Sequence, residues 1–177
     1  MRRSGGQPVR CFFASGFITE KEGRISETEM ENLLIRRMDS LLSKNDWFIT
    51  NLSNAAALLK ESMKDVSWAG FYLVRGGELV LGPFQGKTAC THICFGKGVC
   101  GTAALKDQTQ RVADIRRFRG YIACDSEAES EIVVPIHNRD GTVAGVLDLD
   151  SATEGRFSQD DQAVLEAAAK VIENVID

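Results

Sequence analysis

Apolar side chains recur at three- and four-residue spacing in two early stretches and one late stretch of the chain, and at two-residue spacing in between. The first stripe, Met30, Leu33, Leu34, Met38, Leu41 and Leu42, predicts a helix capped by Ser26 or Thr28 and running to about Lys44. Phe48, Leu52, Ala55, Leu59 and Met63 predict a second amphipathic helix from Asp46, its expected N-cap, to about Met63. The period then drops to two. Val66–Arg75 and Glu78–Phe84 flank Gly76-Gly77, a pair able to take the positive φ angles of a two-residue turn, so an antiparallel hairpin is expected. A short helix is expected over Gly98–Lys106, entered through Gly96-Lys97-Gly98, and a short strand over Thr109–Ala113. A second hairpin joins Glu131–Asn138 to Thr142–Asp150 through Arg139-Asp140-Gly141. Ser158, with Asp161 three residues on as a weak capping-box variant, opens a last helix whose apolar face includes Val164, Leu165, Ala168 and Ile172. Strands grouped in hairpins, with helices before and after them, indicate an antiparallel sheet with helices packed on it, an α+β fold. Residues 1–25 hold Gly, Pro and Ser without a sustained period and read as an N-terminal tail or extension to a domain spanning 26–177.

Alternation along a strand sorts these residues into faces. Trp68, Gly70 and Tyr72 share one face of the first strand, and Val146, Asp148 and Asp150 share one face of the last, opposite Leu147 and Leu149. Each strand thus offers an apolar face for helices and a second that mixes acids with aromatics. If the mixed faces coincide, with Glu131 near them, they form a small-molecule pocket. Like charges so close in a partly dry site raise the pKa of at least one carboxyl and keep it protonated near neutrality, as a general acid requires. The ionised acids suit a cationic amine, and the two rings suit a methyl group or an ammonium. The alternative is a solvated strand end.

Composition narrows the function classes. The 177 residues fit one domain, with 44% hydrophobic and 26% charged residues and a net charge of −4. No basic stripe points to nucleic acid, and no apolar run reaches the roughly 20 residues of a membrane span. Five cysteines without a secretory signal indicate a reducing compartment, the cytoplasm, in which thiols act as catalytic groups, metal ligands or inert core residues. Three arginines and no acid in the first 19 residues leave a mitochondrial presequence as the alternative.

Cys90, Cys100 and Cys124 each sit in a Gly-, Asp- or Ser-rich setting where a thiol is reachable, in the same stretch as Glu131, Asp148 and Asp150. Thiols beside carboxylates make a redox constellation: one thiolate attacks, a second thiol resolves the sulfenic acid, and an acid supplies a proton. Cys100, in the first turn of a predicted helix and three residues after Lys97, is the reading's preferred thiolate. Cys11 and Cys94 read as ordinary core thiols. Cys90, His92 and Cys94 offer soft ligands, but a structural zinc needs a second cluster and the only other histidine is His137, so no metal and no cofactor are expected. GKGVCG lacks the phosphate-loop pattern and reads as a turn before a helix, and no GxSxG motif occurs.

WAGFYL, LVLGPFQGKTAC, GKGVCGTAA, TQRVADI, YIACDSEAESEIVVP, GVLDLDS and RFSQDDQAVLE together resemble the free methionine-(R)-sulfoxide reductases over about Asn51 to Leu165. The resemblance implies a single GAF-like domain with an antiparallel sheet of about six strands, and reduction of the free amino acid methionine-(R)-sulfoxide. It also implies regeneration by thioredoxin through a sulfenic acid and an intramolecular disulfide, and a homodimer. The family's cysteines match Cys90, Cys100 and Cys124, and its pocket residues match Trp68, Tyr72, Glu131, Asp148 and Asp150. It favours Cys124 as the attacking thiol, against the preference for Cys100 drawn from its helical position. Arg119 and Tyr121 stand where the family carries Pro and His before the third cysteine, Thr88 stands where it often has Pro, and Cys94 is an extra thiol. The rival readings are a GAF module that only binds a small molecule and a thiol redox sensor without turnover.

Overall fold

The computed structural model describes residues 27–121 and 127–176. The tail expected over residues 1–25, Ser26, Cys11 and Cys124 lie outside them. Along the chain run α1 (Glu27–Leu41), α2 (Phe48–Ser62), β1 (Trp68–Arg75), β2 (Glu78–Gln85), β3 (His92–Ile93), α3 (Gly98–Lys106), β4 (Gln110–Val112), a 3-10 turn (Ile115–Arg117), β5 (Ser130–His137), β6 (Val143–Ser151) and α4 (Gln159–Glu173). The six strands form one antiparallel sheet in the order β3-β2-β1-β6-β5-β4. The α+β fold and both hairpins agree with the sequence reading, and Gly76 and Gly77 take φ of 62° and 87° in the two-residue turn. The one strand the periodicity did not foretell is β3, whose two residues are too few to carry a period.

The sheet is a partition. On one face Ala69, Phe71, Ile132, Val134, Leu147 and Leu149 are buried beneath α1, α2 and α4. Each such side chain removed from water contributes roughly 1.5–3 kcal/mol, which makes this layer the main source of stability. On the other face Trp68, Tyr72, Val133 and Val146 pack against Val99, Cys100, Ala103 and Ala104 of α3. One short helix cannot cover so wide a sheet, and the uncovered part becomes the pocket.

Three local expectations fail for identifiable reasons. Leu33 and Leu41 are 48% and 43% exposed, because among the described side chains of α1 and the residue after it the buried line is the narrow one of Leu34, Met38 and Leu42. Phe48 is also exposed, as the first residue of α2. Asp46 does not cap α2: the helix begins at Phe48 after Trp47, which makes no side-chain capping bond. The corner is held instead by buried Asn51, whose Oδ1 accepts from the Ser43 amide at 3.1 Å and whose Nδ2 donates to the Ser43 carbonyl at 2.8 Å. The Ser158–Asp161 capping box is complete in both directions.

Candidate active site

Strand register assembles the acids. Trp68 pairs with Asp150 and Asp150 with Glu131, so one row across β1, β6 and β5 carries an indole and two carboxylates. One step along, Gly70, Asp148 and Val133 form the parallel row on the same face. These rows floor a cavity of about 480 Å³ of empty space, its open mouth included, lined by Trp68, Tyr72, Cys100, Glu131, Asp148 and Asp150. Lys97, Tyr121 and Ala128 contribute to its walls. The sequence reading does not place these in the pocket, since loop residues carry no period; in it Lys97 is only a cation before Cys100, and Tyr121 only a departure from the family pattern.

The aromatic wall is rigid. Trp68 and Tyr72, each 2% exposed, stack at 6.1 Å with 24° between planes, and Trp68 stacks on Phe84 at 5.4 Å and 15°. The indole Nε1 donates to the Lys87 carbonyl at 3.0 Å. Gly70 is required beneath it, since a Cβ there would meet Cη2 of Trp68 at 2.6 Å and the Cβ of Phe84. Burial, reinforced by the Asp148 charge, holds the Tyr72 hydroxyl well above its ordinary pKa, so the ring stays neutral.

The thiols separate. Cys100 is buried rather than reachable, and its Sγ donates to Asp148 Oδ2 at 3.2 Å and lies 3.6 Å from Glu131 Oε1. Its place in the first turn of α3 was expected to favour the thiolate. Burial and the two carboxylates drive its pKa well above the usual value instead. A helix N-terminus contributes about 0.3–1 kcal/mol, too little to offset desolvation beside two acids. Cys90 is half-buried and disulfide-bonded, whereas Cys94 is exposed and free. Lys87, which precedes Cys90, is ion-paired with Glu127.

Glu131 and Asp148 are both raised chiefly by burial, and the like-charge effect expected from the sequence adds to it at Glu131 alone. Burial raises Asp148 from 3.8 to about 7, against the lowering effect of the Cys100 hydrogen bond. Burial, then the charges of Asp148 and Asp150, push Glu131 well above the carboxylate range. Asp148 Oδ2 accepts from Cys100, while buried Oδ1 has no hydrogen-bond partner. Near neutrality Asp148 is therefore close to half-protonated, with Oδ1 the oxygen that Cys100 does not engage. Asp148 is not part of a solvated strand end.

The GKGVCG turn shapes this wall and holds no phosphate-loop geometry. Gly96 and Gly98 take φ of 77° and 61°, and a Cβ on Gly101 would collide with the Cys94 carbonyl, so the turn and α3 close tightly on each other. Among the described residues, no helix is long and apolar enough to cross a membrane.

Residues 52–177 match the GAF domain family. The chain is 43% identical over 152 residues to the free methionine-R-sulfoxide reductase of Escherichia coli, covering 86% of this chain and 92% of that one. It is 46% identical over 153 residues to the free methionine-R-sulfoxide reductase of Saccharomyces cerevisiae, with 82% and 84% covered. The structure of free methionine-R-sulfoxide reductase from Neisseria meningitidis in complex with its substrate superposes with a TM-score of 0.82 at 39% identity, over 89% of this chain and 95% of that one.

Proposed function

Because the chain belongs to the GAF domain family and, within it, to the free methionine-R-sulfoxide reductases, we propose that its pocket reduces free methionine-(R)-sulfoxide to methionine. The observation that carries the reading is Asp148, a buried carboxyl with a pKa near neutrality and one oxygen without a partner, in a pocket with two more acids and two stacked rings. The Oδ1 proton is the one delivered to the sulfoxide oxygen. Asp150 and the carbonyl oxygen of the Glu131 carboxyl accept from the substrate ammonium, Trp68 and Tyr72 pack against its methyl and thioether carbons, and Lys97 at the wall receives its carboxylate.

The attacking thiol is Cys124. Cys100 is the weaker candidate, because a protonated, buried thiol that donates to Asp148 is a poor nucleophile. The Cys124 thiolate bonds to the substrate sulfur as the protonated S–O bond breaks and water leaves; water then attacks the Cys124 sulfur, the new S–S bond breaks with release of methionine, a proton is lost, and Cys124 is left as a sulfenic acid. The Cys90 thiol then displaces water to give a disulfide, which the two thiols of thioredoxin reduce by exchange. That Cys90 already sits in a disulfide supports its role as the resolving partner. The Cys100 S–H fixes Asp148 Oδ2 and so keeps the acidic proton on Oδ1. Residues 26–177 form the catalytic domain, the active protein is a homodimer, and a thioredoxin-linked cycle belongs in the cytoplasm, or in mitochondria if the Arg-containing N-terminus is a presequence.

An NADPH-coupled thioredoxin assay with free methionine-(R)-sulfoxide, its (S) epimer and a peptide-bound sulfoxide tests the reading. NADPH should be consumed with the free (R) compound alone, since a peptide bond removes the ammonium. Equal turnover of the peptide overturns it. Binding of the free amino acid without turnover identifies a binding module instead.

A further inference from the structure

The Sγ of Cys100, one oxygen of Glu131 and one of Asp148 lie within 4.8 Å of one another, all on buried residues, and the three residues line the cavity. The two sulfur–oxygen separations are 3.2 and 3.6 Å. A tetrahedral zinc centre, with bonds of about 2.3 Å to sulfur and about 2.0–2.2 Å to oxygen, sets these atoms roughly 3.5–3.7 Å apart. The two sulfur–oxygen distances thus lie within a few tenths of an ångström of those a bound ion sets, and the two oxygens, no more than 4.8 Å apart, close on it. A separate observation points to a ligand at the same place: Asp148 is only 5% exposed, yet its Oδ1 has no partner.

We propose that Cys100, Glu131 and Asp148 form a binding site for a divalent cation of the zinc class, with a fourth coordination position open to the cavity. Three protein ligands and one open position is the arrangement of a zinc site that still admits an exogenous ligand. A thiolate with two carboxylates selects Zn²⁺ or Co²⁺ over Mg²⁺ and Ca²⁺, which avoid sulfur. On binding, Cys100 gives its proton to solvent as the sulfur–metal bond forms, the carboxylates release any proton they carry, and no electron moves. The run Cys90-Thr91-His92-Ile93-Cys94, which looks more like a metal motif, is unsuited: Cys90 is disulfide-bonded, and His92 pairs with Glu78 at 3.0 Å. The inference goes beyond the reductase reading: an ion here displaces the Cys100 and Asp148 protons on which that reading relies, so the metal-bound form is an inactive one.

Titration of the full chain with Co²⁺, followed by absorbance, tests the site without any turnover. The expected result is a thiolate-to-cobalt charge-transfer band, with the visible bands of a tetrahedral centre, saturating at one equivalent and displaced by Zn²⁺. Cys100→Ser should abolish the charge-transfer band, Cys94→Ser should leave it intact, and Asp148→Asn should weaken Co²⁺ binding by at least about tenfold. A wild-type protein without the band, or a band that persists in Cys100→Ser, overturns the proposal. If Cys100→Ser does not fold, Asp148→Asn decides, because wild-type affinity there removes the carboxylate from the site. Loss of the band leaves the reductase reading untouched, and failure of the reductase assay leaves the band to be judged on its own.

Discussion

Replacing Asp148 by Asn should stabilise the protein while disabling it, and the stabilisation should grow with pH. Burial raises this carboxyl from 3.8 to about 7. A shift of about three units, at about 1.4 kcal/mol each, means that ionising Asp148 costs about 4 kcal/mol more in the folded protein than in the unfolded chain. Because the folded pKa lies above the unfolded one, the full stability is present below about pH 4 and is lost as pH rises through about 7. Asn keeps the shape and cannot ionise, and Glu131, raised by burial first and by the Asp148 charge second, is relieved as well. The variant should therefore exceed the wild type by about 2 kcal/mol at pH 5 and about 4 kcal/mol at pH 8. Urea unfolding at the two pH values measures this, and an unchanged m-value would show that the unfolded state is not the cause. In single-turnover methionine release the same variant should be slower by about 10² to 10⁴, the usual value of a general acid. Its pH–rate profile should lose the alkaline limb near 7 that wild-type Asp148 imposes. An Asn variant no more stable than wild type at pH 8, or a difference independent of pH, would refute the reasoning: Asp148 would then be ionised and satisfied, and unable to donate.

Cys124→Ser should abolish methionine release even in a single turnover, whereas Cys90→Ser should release one equivalent and stall. Rapid-quench measurement separates the two, and stoichiometric release by Cys124→Ser would pass the attack to Cys100. Gly70→Ala, whose Cβ collides with Trp68 and Phe84, should raise KM by about tenfold and lower stability by about 1–3 kcal/mol, with kcat less affected; an unchanged KM would show that the indole does not bind substrate. His137 donates from both ring nitrogens at 2.7 Å, to Glu173 and to Asp107, and these bonds raise its pKa although partial burial opposes them. Its stabilising contribution is full below the ordinary pKa of 6.5 and is lost as pH rises through the folded value, so His137→Gln should cost more stability at pH 5.5 than at pH 9, as read by urea unfolding.

What the sequence disclosed about the pocket came from strand parity. The two-residue period alone put Asp148 and Asp150 on one face, with Trp68 and Tyr72 sharing a face of another strand, and the register of β1, β6 and β5 joined the two sets. It also gave the bounds of α3 and the turn at Gly76-Gly77. The environment of Cys100 was out of reach, because the acids that suppress its ionisation lie 31 and 48 residues further along the chain and meet it only when α3 docks on the sheet. A local rule about helix N-termini was therefore applied correctly and outweighed by a tertiary contact. Leu33 and Leu41 show the same limit on the apolar side: the period marks which residues can face a core, and the width of the neighbour decides which of them do. Lys97, Tyr121 and Ala128 line the pocket from segments whose course depends on where the sheet and α3 leave space.

The acids stand on strands that have neighbours on both sides, β6 between β1 and β5, and β5 between β6 and β4. Amide hydrogens at the centre of such strands reach solvent only when the whole sheet comes apart, so they exchange on the slowest timescale the molecule has. The amides of Val133, Leu147 and Leu149 should therefore exchange at the same rate whether Cys90 is oxidised or reduced, as mass spectrometry on the two redox forms would record. Whatever movement brings thiols together and apart during a cycle takes place against this still floor. On the mechanism proposed above, the proton donor keeps its position across turnovers and only the sulfur chemistry travels.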